Sequence, residues 1–144
     1  MGIVKEGYFK YVVTDSKGNE HITGLVLPGT FVGDYLSTTK KIPCMTSIVA
    51  ATNVEVLVCD REIVYKIFNE NRELHQLFSD SLFHNCYTEY LNTHRLSPKE
   101  RYIALLKRCP DILQNISIKE IASYLNITPT YLSRIRKEIT FENK

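Results

Sequence analysis

Apolar residues recur along this chain with two different periods, and the change from one to the other divides it. Up to about Arg61 they come in short runs. Gly7 to Thr14 is aromatic and β-branched, Asp15-Ser16-Lys17-Gly18-Asn19 is turn chemistry, and His21 to Leu27 is a second run that stops at Pro28-Gly29. This predicts a β-hairpin. Ser47 to Ala51 and Val54 to Cys59, parted by Thr52-Asn53, predict two further strands, so residues 1–61 read as a small antiparallel β-roll or sandwich.

From Glu62 the period is helical. Ile63, Ile67, Leu74, Leu77, Phe78, Leu82, Cys86, Tyr90 and Leu91 form a stripe with no proline or glycine before Pro98, which predicts one long helix over 62–96. Such a helix beside a small sheet has apolar surface to spare, and pairing in parallel with its twin would bury it. Leu74, Leu77, Phe78, Leu82, Cys86 and Leu91 are the candidate homodimer contacts. Ser97 as N-cap and Pro98 in the first turn open the next helix, which runs to about Cys109 before Pro110 ends it. Ser97 therefore marks the start of a C-terminal domain, residues 97–144.

Within that domain, Ile118 to Glu138 carries the most specific pattern. Ile118, Ile121, Ala122 and Leu125 recur at helical spacing and leave Lys119, Glu120 and Ser123 outside. Asn126 follows, a residue type that tolerates the left-handed backbone a tight reversal needs. Thr128 is then placed to cap a second helix, and Pro129 at its first position loses no helix bond. Leu132, Ile135 and Ile139 form the inner stripe of this helix, and small Ala122 permits the close approach of two crossing helices. The outer face is Thr130, Tyr131, Ser133, Arg134, Arg136 and Lys137, without a carboxylate before Glu138. The pattern is a helix-turn-helix whose outer face suits phosphates and base edges in a major groove.

Charge supports that placement. The formal net charge is only +2, but residues 97–144 carry nine Lys/Arg against five Asp/Glu, whereas residues 1–96 carry nine against eleven. The basic excess lies with the helix-turn-helix, and double-stranded DNA is the expected partner. No apolar run approaches the ~20 residues that cross a bilayer, and the N-terminus lacks a signal-peptide core, so a cytoplasmic protein without a membrane partner is expected. Cys44, Cys59, Cys86 and Cys109 are widely spread and predict buried free thiols; no metal spacing joins them to His21, His75, His84 or His94. Without a glycine-rich phosphate loop or a nucleophile–base pair at plausible spacing, no catalytic residue and no cofactor is expected. The alternative to a DNA reader is a ligand-sensing or protein-interaction module whose helix-turn-helix does not read DNA.

Two stretches, PGTFVGDYL at Pro28 to Leu36 and RYIALLKRCPDILQNISIKEIASYLNITPTYLSRIRK from Arg101 to Lys137, make the chain resemble the cyclic-AMP receptor protein (Crp/Fnr) family of bacterial transcription regulators. The resemblance implies an α+β fold with a partial antiparallel β-roll sensor of cyclic-nucleotide-binding type, a long dimerisation helix and a C-terminal helix-turn-helix domain. It also implies that the chain begins inside the family's third or fourth strand and leaves no room before Lys144 for the wing after the recognition helix. Thr128, Pro129, Thr130, Tyr131, Ser133 and Arg134 match the opening of that helix, with Arg134 at the position of a base-reading arginine. Arg136 and Lys137 complete the DNA-binding set, and Lys137 near the helix end suits a phosphate. Pro129 and Thr130 replace the arginine and glutamate common there, which implies a different operator. In the sensor, Gly33-Asp34 fits the family's Gly-Glu, but its Arg-Ser pair aligns with Cys44-Met45. A cyclic phosphate would lack its guanidinium counter-charge, so Gly33, Asp34, Cys44 and Met45 are candidate contacts to an effector that is unknown and not expected to be cyclic AMP. By family analogy, RNA polymerase is a further partner.

Overall fold

The computed structural model describes residues 1–142. Strands β1 (Gly2–Glu6), β2 (Phe9–Thr14), β3 (Glu20–Val26), β4 (Phe31–Val32), β5 (Ser47–Ala50) and β6 (Glu55–Val58) form two antiparallel sheets, ordered β4-β1-β6 and β3-β2-β5. The chain crosses from the first sheet to the second at Gly7. Its φ is +81°, and a Cβ there would lie 2.1 Å from the Asn53 carbonyl oxygen, so only glycine makes this turn without displacing backbone. Val4, Val26 and Val32 are buried between the sheets, with Phe9, Tyr11, Ile48 and Val56 packed around them. The expected hairpin is β2–β3, closed by Asp15, whose side chain accepts from the Lys17 and Asn19 amides at 2.8 and 2.9 Å.

Helices α1 (Tyr35–Lys40), α2 (Arg61–Glu70), α3 (Arg72–Arg95), α4 (Pro98–Arg108), α5 (Ile112–Asn115), α6 (Ile118–Tyr124) and α7 (Pro129–Glu142) complete the fold. The single helix expected over 62–96 is two. Asn71 ends α2 and caps α3: its backbone is extended (φ −125°, ψ 86°) and its side chain accepts from the Leu74 amide at 3.0 Å. A cap can break a helix without proline or glycine, and the break lets α3 fold back on α2. Phe68 of α2 stacks on His75 with ring centroids 4.6 Å apart and meets Phe78 at 5.3 Å.

The larger core lies among α4 to α7, where Tyr102, Leu105, Ile112, Ile116, Ile121, Ala122, Leu125, Leu132 and Ile135 are all buried, together with Tyr8 from the sheet side. Ser97–Glu100 and Ser117–Glu120 are reciprocal capping boxes that start α4 and α6. The domain's expected end at Lys144 lies outside the described residues. Of the four thiols expected to be buried only Cys109 is; Cys44 and Cys86 are exposed and Cys59 is half-buried. Cys86 lies on α3, none of whose residues is buried, and a helix without a buried face gives a small apolar side chain no cover. Among the described residues no helix is long and apolar enough to cross a membrane, and no three ligating side chains gather as for a metal.

Candidate nucleic-acid interface

The α6–α7 pair is built by its turn. Leu125 caps α6, Asn126 adopts φ +54°, the Asn126 amide donates to the Ser123 carbonyl at 2.9 Å, and the Ile127 amide donates to the Ala122 carbonyl at 3.0 Å. These two bonds are a Schellman ending, which satisfies carbonyls the helix leaves open. Two residues later the Thr128 hydroxyl accepts from the Tyr131 amide at 3.2 Å, and α7 begins at Pro129. Leu132 and Ile135 are 0% and 1% exposed, and Ala122 beneath them is 0% exposed, so the rotation of α7 about its axis is set by its buried stripe.

That rotation turns Thr128, Pro129, Thr130, Tyr131, Ser133, Arg134, Arg136 and Lys137 to solvent. Among the described residues no ion pair or side-chain hydrogen bond holds Arg134 or Lys137. Arg136 differs, since its guanidinium lies near the hydroxyl of Tyr102, a phenol whose pKa burial raises against the pull of that charge. Glu138, the first carboxylate of the helix, is paired with Lys99 of α4 at 4.0 Å, at the far end from the capped start. The face near the N-terminus of α7 is therefore hydroxyl-rich and cationic, with the helix dipole adding positive potential.

The candidate effector contacts are placed less simply. Asp34 caps α1, accepting from the Ser37 amide at 2.6 Å, and Gly33 is clasped by the Tyr11 hydroxyl, which accepts from its amide at 3.1 Å and donates to its carbonyl at 2.9 Å. Cys44 Sγ reaches Ser37 Oγ at 3.4 Å, so Asp34 and Cys44 flank one serine, whereas Met45 is 77% exposed. None of the four lines the 870 Å³ cleft that opens between Tyr11 and Leu25 of the β2–β3 sheet, the end of α3 and Arg101 of α4.

On α3, Leu74, Leu77 and Leu82 are exposed, Cys86 is exposed, Leu91 is half-buried, and Phe78 turns inward to meet Phe31 at 5.0 Å. A second apolar face is formed by Phe83, Tyr87 and Tyr90, stacked at 5.7 and 6.4 Å; of the three only Tyr90 belongs to the stripe expected from the sequence. Spacings of four and three residues were the available signal, hidden by the stronger leucine pattern.

Residues 1–71 match the cyclic nucleotide-binding domain family. No curated protein matches the chain. Among solved structures, FixK2 from Bradyrhizobium japonicum aligns over 99% of this chain and 75% of its own, with 19% identity and a TM-score of 0.74. CLP, a c-di-GMP-responsive global regulator of Xanthomonas campestris, aligns over 99% and 77% with 14% identity and a TM-score of 0.67. A protein of Eubacterium rectale assigned to the Crp/Fnr family aligns over 98% and 69% with 15% identity and a TM-score of 0.67. At these identities the likeness is one of fold: a small two-sheet region followed by the long helix α3 and the α6–α7 pair. Residues 1–71 are thus similar to the cyclic nucleotide-binding domain family, and the chain as a whole is similar in architecture to these regulators, a Crp/Fnr-family protein among them.

Proposed function

We propose that this protein is a non-catalytic, sequence-specific DNA-binding transcription regulator of Crp/Fnr type that acts as a homodimer. The observation that carries the reading is the outer face of α7. A helix held by fully buried Leu132 and Ile135 presents Arg134 and Lys137 free of partners within the described residues, beside exposed Thr130, Tyr131 and Ser133. Arg134 reads a guanine through its planar fork, and Lys137 neutralises phosphate. Arg136, lying near Tyr102, contributes charge near the backbone rather than base readout.

Pairing through α3 brings two such helices to one face, about 34 Å apart, which is one turn of DNA. Leu74, Leu77, Leu82, Cys86 and Leu91 are the assigned contacts, with Phe83 and Tyr87 added by their exposure. Phe78 contributes indirectly, by fixing α3 on α2. The effector is a small molecule held near Gly33, Asp34, Cys44 and Met45; with no arginine in that group, cyclic AMP is not the ligand of choice. RNA polymerase is the analogous downstream partner, and the cytoplasm is where DNA and polymerase are met. Selection of bound sequences from a random DNA library tests the reading. A two-fold symmetric site, bound more weakly as salt rises, is expected, and enrichment of no sequence would overturn it.

A further inference from the structure

The sensor sheet is joined to the helix-turn-helix domain by contacts that the α7 face does not use. Tyr8 follows the Gly7 turn and is 4% exposed, sharing one core with Tyr102, Leu105, Ile112 and Ile121 of the C-terminal domain. Its hydroxyl lies 2.8 Å from both carboxylate oxygens of Asp111 and 3.2 Å from Cys109 Sγ. Two residues on, Lys10 donates to Glu120, the same carboxylate that closes the capping box of α6. On the neighbouring strand the Ile22 amide donates to Ser123 Oγ at 3.0 Å, so a sheet-edge N–H is satisfied by α6 rather than by another strand.

We propose that Tyr8, Lys10 and the Ile22 amide form a latch that fixes α6 to the sensor sheet and so sets the direction in which α7 points. The proposal rests on the reading of α7 as a DNA-recognition helix. Tyr8 is then a positioning residue: its hydroxyl contacts Asp111 and Cys109, not the outer face of α7, and it acts on DNA through geometry alone. Because the latch engages Asp111, Glu120 and Ser123 and leaves Arg134 and Lys137 exposed, the latched arrangement is the DNA-competent one. A palindromic site demands two helices at one separation. A rigid joint meets that demand before DNA arrives, whereas a loose one must be ordered on binding.

The test uses the full chain and the double variant Tyr8→Phe, Ser123→Ala, which removes the hydroxyl and the Ile22 acceptor and touches nothing on α7. Residual dipolar couplings of the wild type should fit one alignment tensor for residues 1–58 and 98–142, and those of the variant should need two. On the selected palindrome the variant should bind about tenfold more weakly, in line with loss of a hydrogen bond to a charged group. On a site with two base pairs inserted between half-sites, wild type should lose most of its affinity and the variant little. That change in spacing tolerance is a readout that a general loss of stability does not produce. One shared tensor in the variant, or unchanged discrimination between the two spacings, would overturn the latch. Absence of DNA binding by wild type would sink both the functional reading and the positioning role, while the couplings would still report whether the joint exists.

Discussion

Helices α4 to α7 and the sheets with α3 contain similar kinds of apolar residue and dispose of them in opposite ways. In the first, Ile112, Ile121, Ala122 and Leu132 are all 0% exposed. In the second, Phe31, Ile3 and Leu57 lie in register across β4-β1-β6 on one face and are 56%, 39% and 59% exposed, and Phe83 on α3 is 70% exposed. Helices α4 to α7 close most of that core from one stretch of chain, and Tyr8 from the sheet side completes it. A few-stranded sheet has two faces, and a long helix has more apolar surface than the sheet beside it can cover. The difference separates a region whose apolar residues are covered within the chain from one that leaves them open.

Leu132→Ala should give the largest effect, a loss of about 2–5 kcal/mol in chemical denaturation, because a filled core site is emptied. Leu77→Ala, at a residue 63% exposed, is the matching substitution in the other region and should cost less than about 0.5 kcal/mol in a lone chain. If α3 pairs with its twin, that cost rises with protein concentration; a cost independent of concentration would remove Leu77 from the dimer contacts.

Next in size, Arg134→Ala should weaken DNA binding by about 1–3 kcal/mol and relax preference at one base pair, measured by gel-shift titration. Lys137→Ala should weaken all sequences alike and lower the salt slope by about 1. Neither should move the denaturation midpoint, which sets the reading face apart from the core under it. A smaller change is expected at the turn: Asn126→Ala should cost about 1–2 kcal/mol for its left-handed backbone, whereas Asn126→Gly should keep the thermal midpoint.

The smallest concerns the junction of the two regions. Hydrogen bonds from Tyr8 and Cys109 hold the Asp111 carboxyl below its ordinary pKa. A depressed carboxyl adds stability that is present above the unfolded value of about 3.9 and is lost as pH falls through the folded value. The wild type should therefore lose stability below about pH 4 more steeply than Asp111→Asn, followed by fluorescence in acid. Equal slopes would show that Tyr8 gains nothing from the charge.

Legibility follows the same division. The helix-turn-helix could be read because every step of it is local: stripe, Asn turn, Thr cap and Pro start lie within 21 consecutive residues, Ile118 to Glu138, and each is a backbone requirement that few residue types meet. The hairpin around Asp15 and the start at Ser97 were visible for the same reason. Strand β1 was not, since Gly2 to Glu6 is short and becomes a strand only by pairing with Val58 and Val32, distant in sequence. The break at Asn71 was hidden because an N-cap residue inside an apolar stripe reads as a tolerated helix position. Asp34 could be chosen as an effector contact but not recognised as a cap, since a two-residue strand and a six-residue helix leave too little periodicity to detect.

By itself, the sequence determined the two periods, the turn and cap of the α6–α7 pair, and the residues that pair exposes, because propensity, capping and alternation act over a few residues. Only the tertiary structure decided that Tyr8 enters the C-terminal core, that Lys10 meets Glu120, and that the Ile22 amide finds Ser123. Those contacts join residues about a hundred positions apart, and they form only when the Gly7 turn and the packing of α6 on β3 bring the two regions together.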